Sequence, residues 1–353
     1  MKPLIYYGKG LSFFVLLFLC SCNKDEEENT SLVITDESSK YTVSTFVGNG
    51  DNGDDPVTNG PALLWVPGDI VFDAAGNLFV ADGYNDKIKK ITPDGMMTTL
   101  AGSSVGYADG TGSQAQFDGP GAMAIDAHGD LFVAEYPGLR VRKVTHEGVV
   151  TTIAGNGTAG LVDGVGDQAQ INIVGGIVIN SEGTIYFTQD NFHGVRQILP
   201  SGEVSTFVGS SSPGFAEGDA NTARFNEPYL GHCDAQGNIY VFDRENARIR
   251  KISPAGIVST VLTRNKPGEI GIFTIDKEGN YFLTPSDNIN SEIVKYDASG
   301  HFTKIAGGEL GYQDGLGNVA KFSYASCLIT DANGDLFFSD IFNDRIRKIE
   351  KNN

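Results

Sequence analysis

Six glycines constrain this chain more than any other feature. Gly76, Gly129, Gly183, Gly237, Gly279 and Gly334 recur at intervals of 53, 54, 54, 42 and 55 residues. Each sits between two apolar runs, as in IVFDAAGNLFVAD, MAIDAHGDLFVAE, IVINSEGTIYFTQ and LITDANGDLFFSD. Apolar runs of this length joined by a Gly-centred turn predict β-hairpins, because Gly accepts the positive φ such turns need. A fixed period of about 50 residues marks a repeat architecture in which each unit is one supersecondary element.

A third strand follows each hairpin: KIKKI (87–91), RVRKV (140–144), VRQI (195–198), RIRKI (248–252), EIVKY (292–296) and RIRKI (345–349). A second turn (TPDG, THEG, LPSG, SPAG or DASG) then leads to a fourth strand such as MTTLAG or VSTFVG. We name the four strands of each unit a to d. The chain carries six a–b–c sets but only five c–d turns, since it stops at Asn353. The missing d strand is supplied by VSTFVG at 43–48, ahead of the first a strand. A closed ring of sheets leaves no open end, which is the recurrent hazard of β proteins. The expected fold is therefore all-β: a six-bladed β-propeller of four-stranded antiparallel blades, with the N-terminal strand closing the last blade.

Composition fits this reading and excludes others. Gly makes up 45 of 353 residues against only 13 Pro, as many tight turns require, and 40% of the chain is hydrophobic, enough for a core. The net charge of -18 argues against a nucleic-acid partner. Four Cys in a chain this long do not make a disulfide framework. Cys233 and Cys327 fall on a strands of non-neighbouring blades, so two free, buried thiols are expected.

Lys2 and Lys9 precede a short apolar run, Leu11–Leu19, that is too short to span a bilayer and reads as an export signal. Leu19-Cys20-Ser21-Cys22 resembles a bacterial lipobox, which implies lipidation of Cys22. The acidic Asp25–Glu28 run resembles the export signal of Bacteroidota surface lipoproteins. The expected organisation is a signal peptide over 1–21, an acidic flexible tether over 22–40 and the propeller over 41–350. The protein is then expected in the outer membrane, exposed at the cell surface and held by its lipid anchor alone.

ADGYNDKIKKITPDG, together with GYADGTGSQAQFDGPGAMAID, resembles NHL-repeat propellers, and the likeness extends over about residues 41–350. Many similar lipoproteins carry an IPT/TIG sandwich ahead of the propeller; residues 23–42 are too few for one. The NHL resemblance is specific for fold and says little about activity.

The long d-to-a connectors (106–120, 160–174, 214–228 and 311–325) repeat an apolar residue, Phe117, Ile171, Phe225 and Phe322, expected to plug the space between blades. Asp109, Asp163 and Asp314 are read as turn residues, with calcium ligation as the other possibility. The strand c cations follow Asp82, Glu135, Asp243 and Asp340, which lie five residues before Lys87, Arg140, Arg248 and Arg345; cross-hairpin pairing is expected.

A residue repeated in several blades is architecture, so function is sought where one blade departs from its siblings. Antiparallel blades put the b–c and d–a loops on one face, long and variable, and the a–b and c–d turns on the other, short and uniform. Binding sites are usually built on long loops. On the loop-rich face the departures are Trp65, Tyr136, Phe192, His193, Glu227, Tyr229 and Arg244; on the inner strands they are Asp69 and His232. Aromatic rings beside Asn, Asp and Arg suit sugar stacking or protein recognition. The expected function is a surface-anchored, non-catalytic binding module, monomeric and without cofactor or metal, that recognises a glycan or a cell-envelope protein. The competing reading is a metal-dependent hydrolase or lyase at the channel mouth using Asp69, Glu227 and His232, as the likeness to gluconolactonase-like propellers implies.

Overall fold

The computed structural model describes residues 34–54, 62–264, 271–285 and 291–352. The lipobox with Cys22, most of the expected tether and residues 286–290 of the blade 5 b–c loop lie outside them.

Six antiparallel sheets form, one per repeat. Blade 1 consists of Pro67–Phe72, Leu78–Asp82, Lys87–Ile91 and Met97–Ala101. The six a strands contact one another in a ring that closes from Ala325–Thr330 back onto Pro67–Phe72. Each a–b turn is tied by its first residue: Asp73 Oδ1 accepts from Ala75 N (2.9 Å) and Asn77 N (2.8 Å), and Gly76 has φ +81°. The same device recurs at Asp126, Asn180, Asp234, Asp276 and Asp331, which explains the uniformity of this face.

Circular closure occurs as expected. Strand β2 (Tyr41–Val47) pairs antiparallel with Arg345–Lys351, with Val43 opposite Ile349, and completes blade 6. The plugs Phe117, Ile171, Phe225 and Phe322 are fully buried.

Two features correct the sequence reading. Within the stretch expected to be a tether, Ile34–Asp36 is strand β1, which pairs parallel with Phe302–Gly307 of blade 5. The reason is a bare edge. In blades 2, 3 and 6 a two-residue piece of the connector covers the outer d strand: Gly110–Thr111, Gly164–Val165 and Gly315–Leu316. Blade 5 has no such connector, and β1 satisfies its outer strand instead.

The second correction concerns the cations. Glu135, Asp243 and Asp340 pair with the residue seven positions on, not five: Arg142 (2.9 Å), Arg250 (2.8 Å) and Arg347 (2.8 Å). In blade 1 Lys89 lies 4.0 Å from Asp82. Strand twist favours this diagonal neighbour over the directly opposite one. The directly opposite residues Arg140, Arg248 and Arg345 lie instead over the connector rings Tyr107, Phe215 and Tyr312, at 3.7 to 4.2 Å. Asp109, Asp163 and Asp314 grip the buried Arg142, Arg196 and Arg347 from the connector side, at 2.6 to 2.7 Å. These aspartates are staples between connector and blade.

Candidate functional site

The a strands of all six blades line a central channel with a cavity of about 340 Å³. About half of its lining residues are aliphatic, among them Val71, Val178, Ile179 and Ile329. Asp69 occupies a place held elsewhere by Ala122, Gly176, Leu230, Ile272 and Cys327. Its Oδ2 accepts from Met123 N at 3.0 Å. Burial pushes its carboxyl up to about 7, opposed by that bond and by the Cys327 thiol. Its side chain is only partly open to the lumen, and enclosure by the a strands accounts for the shift. His232 also faces the channel, its ring 5.9 Å from that of Tyr240. Burial lowers its imidazole below the usual value, with Asp234 opposing. Tyr229 lines the same channel. Cys233 and Cys327 are free and half-buried. Burial pushes the Cys233 thiol up to about 11 and Cys327 well above the ordinary thiol value.

Glu227 does not reach this channel lining. It sits on the loop-rich rim, ion-paired with Arg244. Asp69, His232 and Glu227 therefore do not converge, and among the described residues no three His, Cys, Asp or Glu side chains are placed to hold a metal ion.

Between blades 3 and 4 the rim gathers Asp190, His193, Glu227 and Arg244. Burial raises Asp190, with Arg244 opposing. His193 Nδ1 accepts from Glu227 N at 3.1 Å. This bond has counterparts at other junctions: Asp86 accepts from Gly119 N (3.0 Å) and Asp344 from Val66 N (2.8 Å). Val66, Gly119 and Glu227 all have positive φ. His193 thus departs from its siblings in type but not in role; it latches one blade to the next.

Phe192 is corrected outright. It is only 7% exposed. Its siblings are Asn85, Asn246 and Asn343, which bond to Asp82, Asp243 and Asp340. Blade 3 replaces that polar pair by Gln189 and Phe192, so the ring fills space where an amide would otherwise bond. Tyr136 is half-buried at the blade 2 loop, its N–H donated to Gly119 O at 2.7 Å.

Trp65 stands in a group that sequence reasoning did not assemble. Its ring stacks on Tyr84 with centroids 5.4 Å apart and planes at 29°. Across the junction with blade 6, Tyr324 and Phe342 pack at 5.6 Å. The two pairs are joined by the Val66–Asp344 latch. Trp65 is 38% exposed, Tyr84 47% and Phe342 43%. The fold does not require these rings: the siblings of Trp65 are Asp118, Asn172, Asn226 and Ser323, and those of Tyr84 and Phe342 are Pro137, Asn191 and Glu245. The available signal was aromatic substitution in two adjacent blades, 6 and 1, which adjoin only once the ring closes.

Comparison with known proteins agrees with this geometry. No family model matches the chain. NHL repeat-containing protein 2 of Gallus gallus is 33% identical over 104 residues, 29% of this chain and 14% of that protein. The chain is an NHL-type six-bladed β-propeller. Teneurin-3 of Danio rerio is 26% identical over 262 residues, 64% of this chain and 10% of that protein. The propeller spans about a tenth of the length of the curated relatives it matches. Among solved structures, an auxiliary nutrient binding protein of Bacteroides thetaiotaomicron superposes with a TM-score of 0.60 at 15% identity, over 88% of the propeller chain and 76% of that one. A gluconolactonase of Xanthomonas campestris gives 0.56 at 13% identity, over 87% and 88%. At these identities the likeness is one of fold.

Proposed function

We propose that this propeller is a surface-anchored binding module that takes a glycan or a partner protein on its loop-rich face. The observation that carries the reading is the aromatic group at the junction of blades 6 and 1. Trp65, Tyr84 and Phe342 are exposed where the repeat calls for small or polar residues. Exposed rings clustered in this way are costly to hydrate and suit stacking on a sugar or an apolar partner. The Asp344 carboxylate is buried beneath them, where its bond from Val66 N holds the two ring pairs together. The auxiliary nutrient binding protein of similar fold supports a binding role without naming a ligand for this chain.

The test is a glycan array and an envelope-protein pull-down with the purified propeller, repeated with Trp65→Ala and Phe342→Ala. Each substitution is expected to weaken capture about tenfold or more, the scale of one lost anchor at ~1.4 kcal/mol or above. Trp65 is the single Trp of the chain, so its emission reports directly on ligand stacking. Equal capture by wild type and a Trp65→Ala, Tyr84→Ala, Phe342→Ala triple variant would remove this face from consideration.

A further inference from the structure

We infer that the propeller stands on its short-turn face, with the loop-rich face turned away from the membrane that anchors it. The inference rests on the anchored reading above and on where the N-terminal segment leaves the fold.

Strand β1 is parallel to Phe302–Gly307, with Ile34 opposite Phe302 and Asp36 opposite Lys304. Phe302 directly follows the c–d turn of blade 5, where Asp297 N bonds His301 O at 3.1 Å and Gly300 N bonds Asp297 O at 3.0 Å. The first residue of β1, Ile34, therefore lies at the short-turn side. The exit is held by pairing along β1. Thr35 Oγ1 donates to Phe302 O (3.3 Å) and lies 3.1 Å from Thr303 Oγ1, and Glu37 N donates to Lys304 O (3.1 Å). Ser38 then turns the chain, with its N–H donated to Asp36 Oδ1 at 2.9 Å.

Distance favours one orientation. Cys22 precedes Ile34 by twelve residues, which reach at most ~40 Å when fully extended. The six-residue Phe302–Gly307 strand alone is ~20 Å long at ~3.3 Å per residue. Bringing the loop-rich face to the membrane would lay the tether along the whole side of the blade and use about half of that reach, which restricts its conformations. With the short-turn face down, the same residues are spared that path. The missing blade 5 connector thus has a second consequence. It frees the edge that β1 occupies, and β1 sets which face looks outward.

The test uses the full-length, lipidated chain reconstituted into phosphatidylcholine/phosphatidylglycerol vesicles carrying an acceptor-labelled lipid. A donor fluorophore is placed at Ser299→Cys in the blade 5 c–d turn, or at Ser212→Cys in the connector before blade 4. The background is Cys233→Ala, Cys327→Ala, checked for native far-UV circular dichroism; if it does not fold, the wild-type thiols are kept and only the exposed reporter is labelled briefly. Energy transfer should place Ser299 nearer the lipid than Ser212 by about the ~20 Å of one strand. Thr35→Pro, which removes a backbone donor from β1, should shrink that difference at least twofold. Equal distances, or the reverse order, overturn the orientation while leaving the binding reading intact. If wild type and Cys22→Ala fractionate alike away from membranes, the anchor itself fails and the orientation fails with it.

Discussion

Removing the guanidinium of Arg347 tests how much of the blade's stability rests on its buried staple. Arg347 donates to Asp340 Oδ2 (2.8 Å), Asp314 Oδ1 (2.6 Å), Gln313 O (3.1 Å) and Lys321 O (3.2 Å). Both Arg347 and Asp340 are fully buried. Replacing Arg347 by Met keeps the apolar stem and deletes the charge. Asp340 retains bonds from Ser323 N (2.7 Å) and the Asn343 amide, but loses its counter-charge. Breaking one side of a buried pair costs about 3–5 kcal/mol. With an unfolding entropy of ~2.1 cal/mol/K per residue over about 300 residues, ~0.6 kcal/mol/K in all, that is a fall in Tm of about 5–8 °C by calorimetry. Asp314→Ala removes only the half-exposed partner and should cost about 1 kcal/mol or less. The Arg347→Met penalty should also shrink as pH falls. Burial already raises Asp340, and without Arg347 it takes up a proton more readily and stops being an unpaired charge. A Tm change below 1 °C at pH 8, or a loss no greater than that of Asp314→Ala, would refute the staple argument.

Three further outcomes follow from individual sites. Asp69 ionises in the folded channel only near pH 7 and in the unfolded chain near 3.8, so the native state binds the extra proton and stability falls as pH rises from about 4 to 7; Asp69→Asn should raise the melting temperature at pH 8 and leave it unchanged at pH 4, by circular dichroism. Cys233 and Cys327, both shifted upward by burial, should react with a thiol reagent at pH 8 far more slowly in the native protein than in guanidinium, and a fast native reaction of both would contradict their placement. Gly102 ends a d strand at φ +101°, where a Cβ would run into the Asp86 carbonyl; Gly102→Ala should lose at least ~1–3 kcal/mol in denaturant unfolding, and a neutral result would contradict this geometry.

The architecture was legible because it is periodic. Turn glycines, alternating apolar runs and the count of six a–b–c sets against five c–d turns are local or arithmetic signals. The closure of Tyr41–Val47 on Arg345–Lys351 follows from them without any contact being known. The plug residues were readable for the same reason, being one apolar residue at one place in four connectors. The site was far less legible. Phe192 read as a departure on the loop-rich face, but its blade buries it in place of an amide. His193 read as a functional departure, while its backbone partner makes it a latch.

What the sequence alone determined is each blade, since hairpin pairing depends on residues a few positions apart. Beyond the closure that counting the repeats required, the tertiary structure alone decided which side chains and edges of distant segments meet. It chose the diagonal arginine as the carboxylate's partner, because strand twist is not written in residue spacing. It put Trp65 and Tyr84 beside Tyr324 and Phe342, because only ring closure makes the first and last blades neighbours. It also laid Ile34–Asp36 along blade 5, because an unpaired strand edge recruits whatever backbone lies within reach.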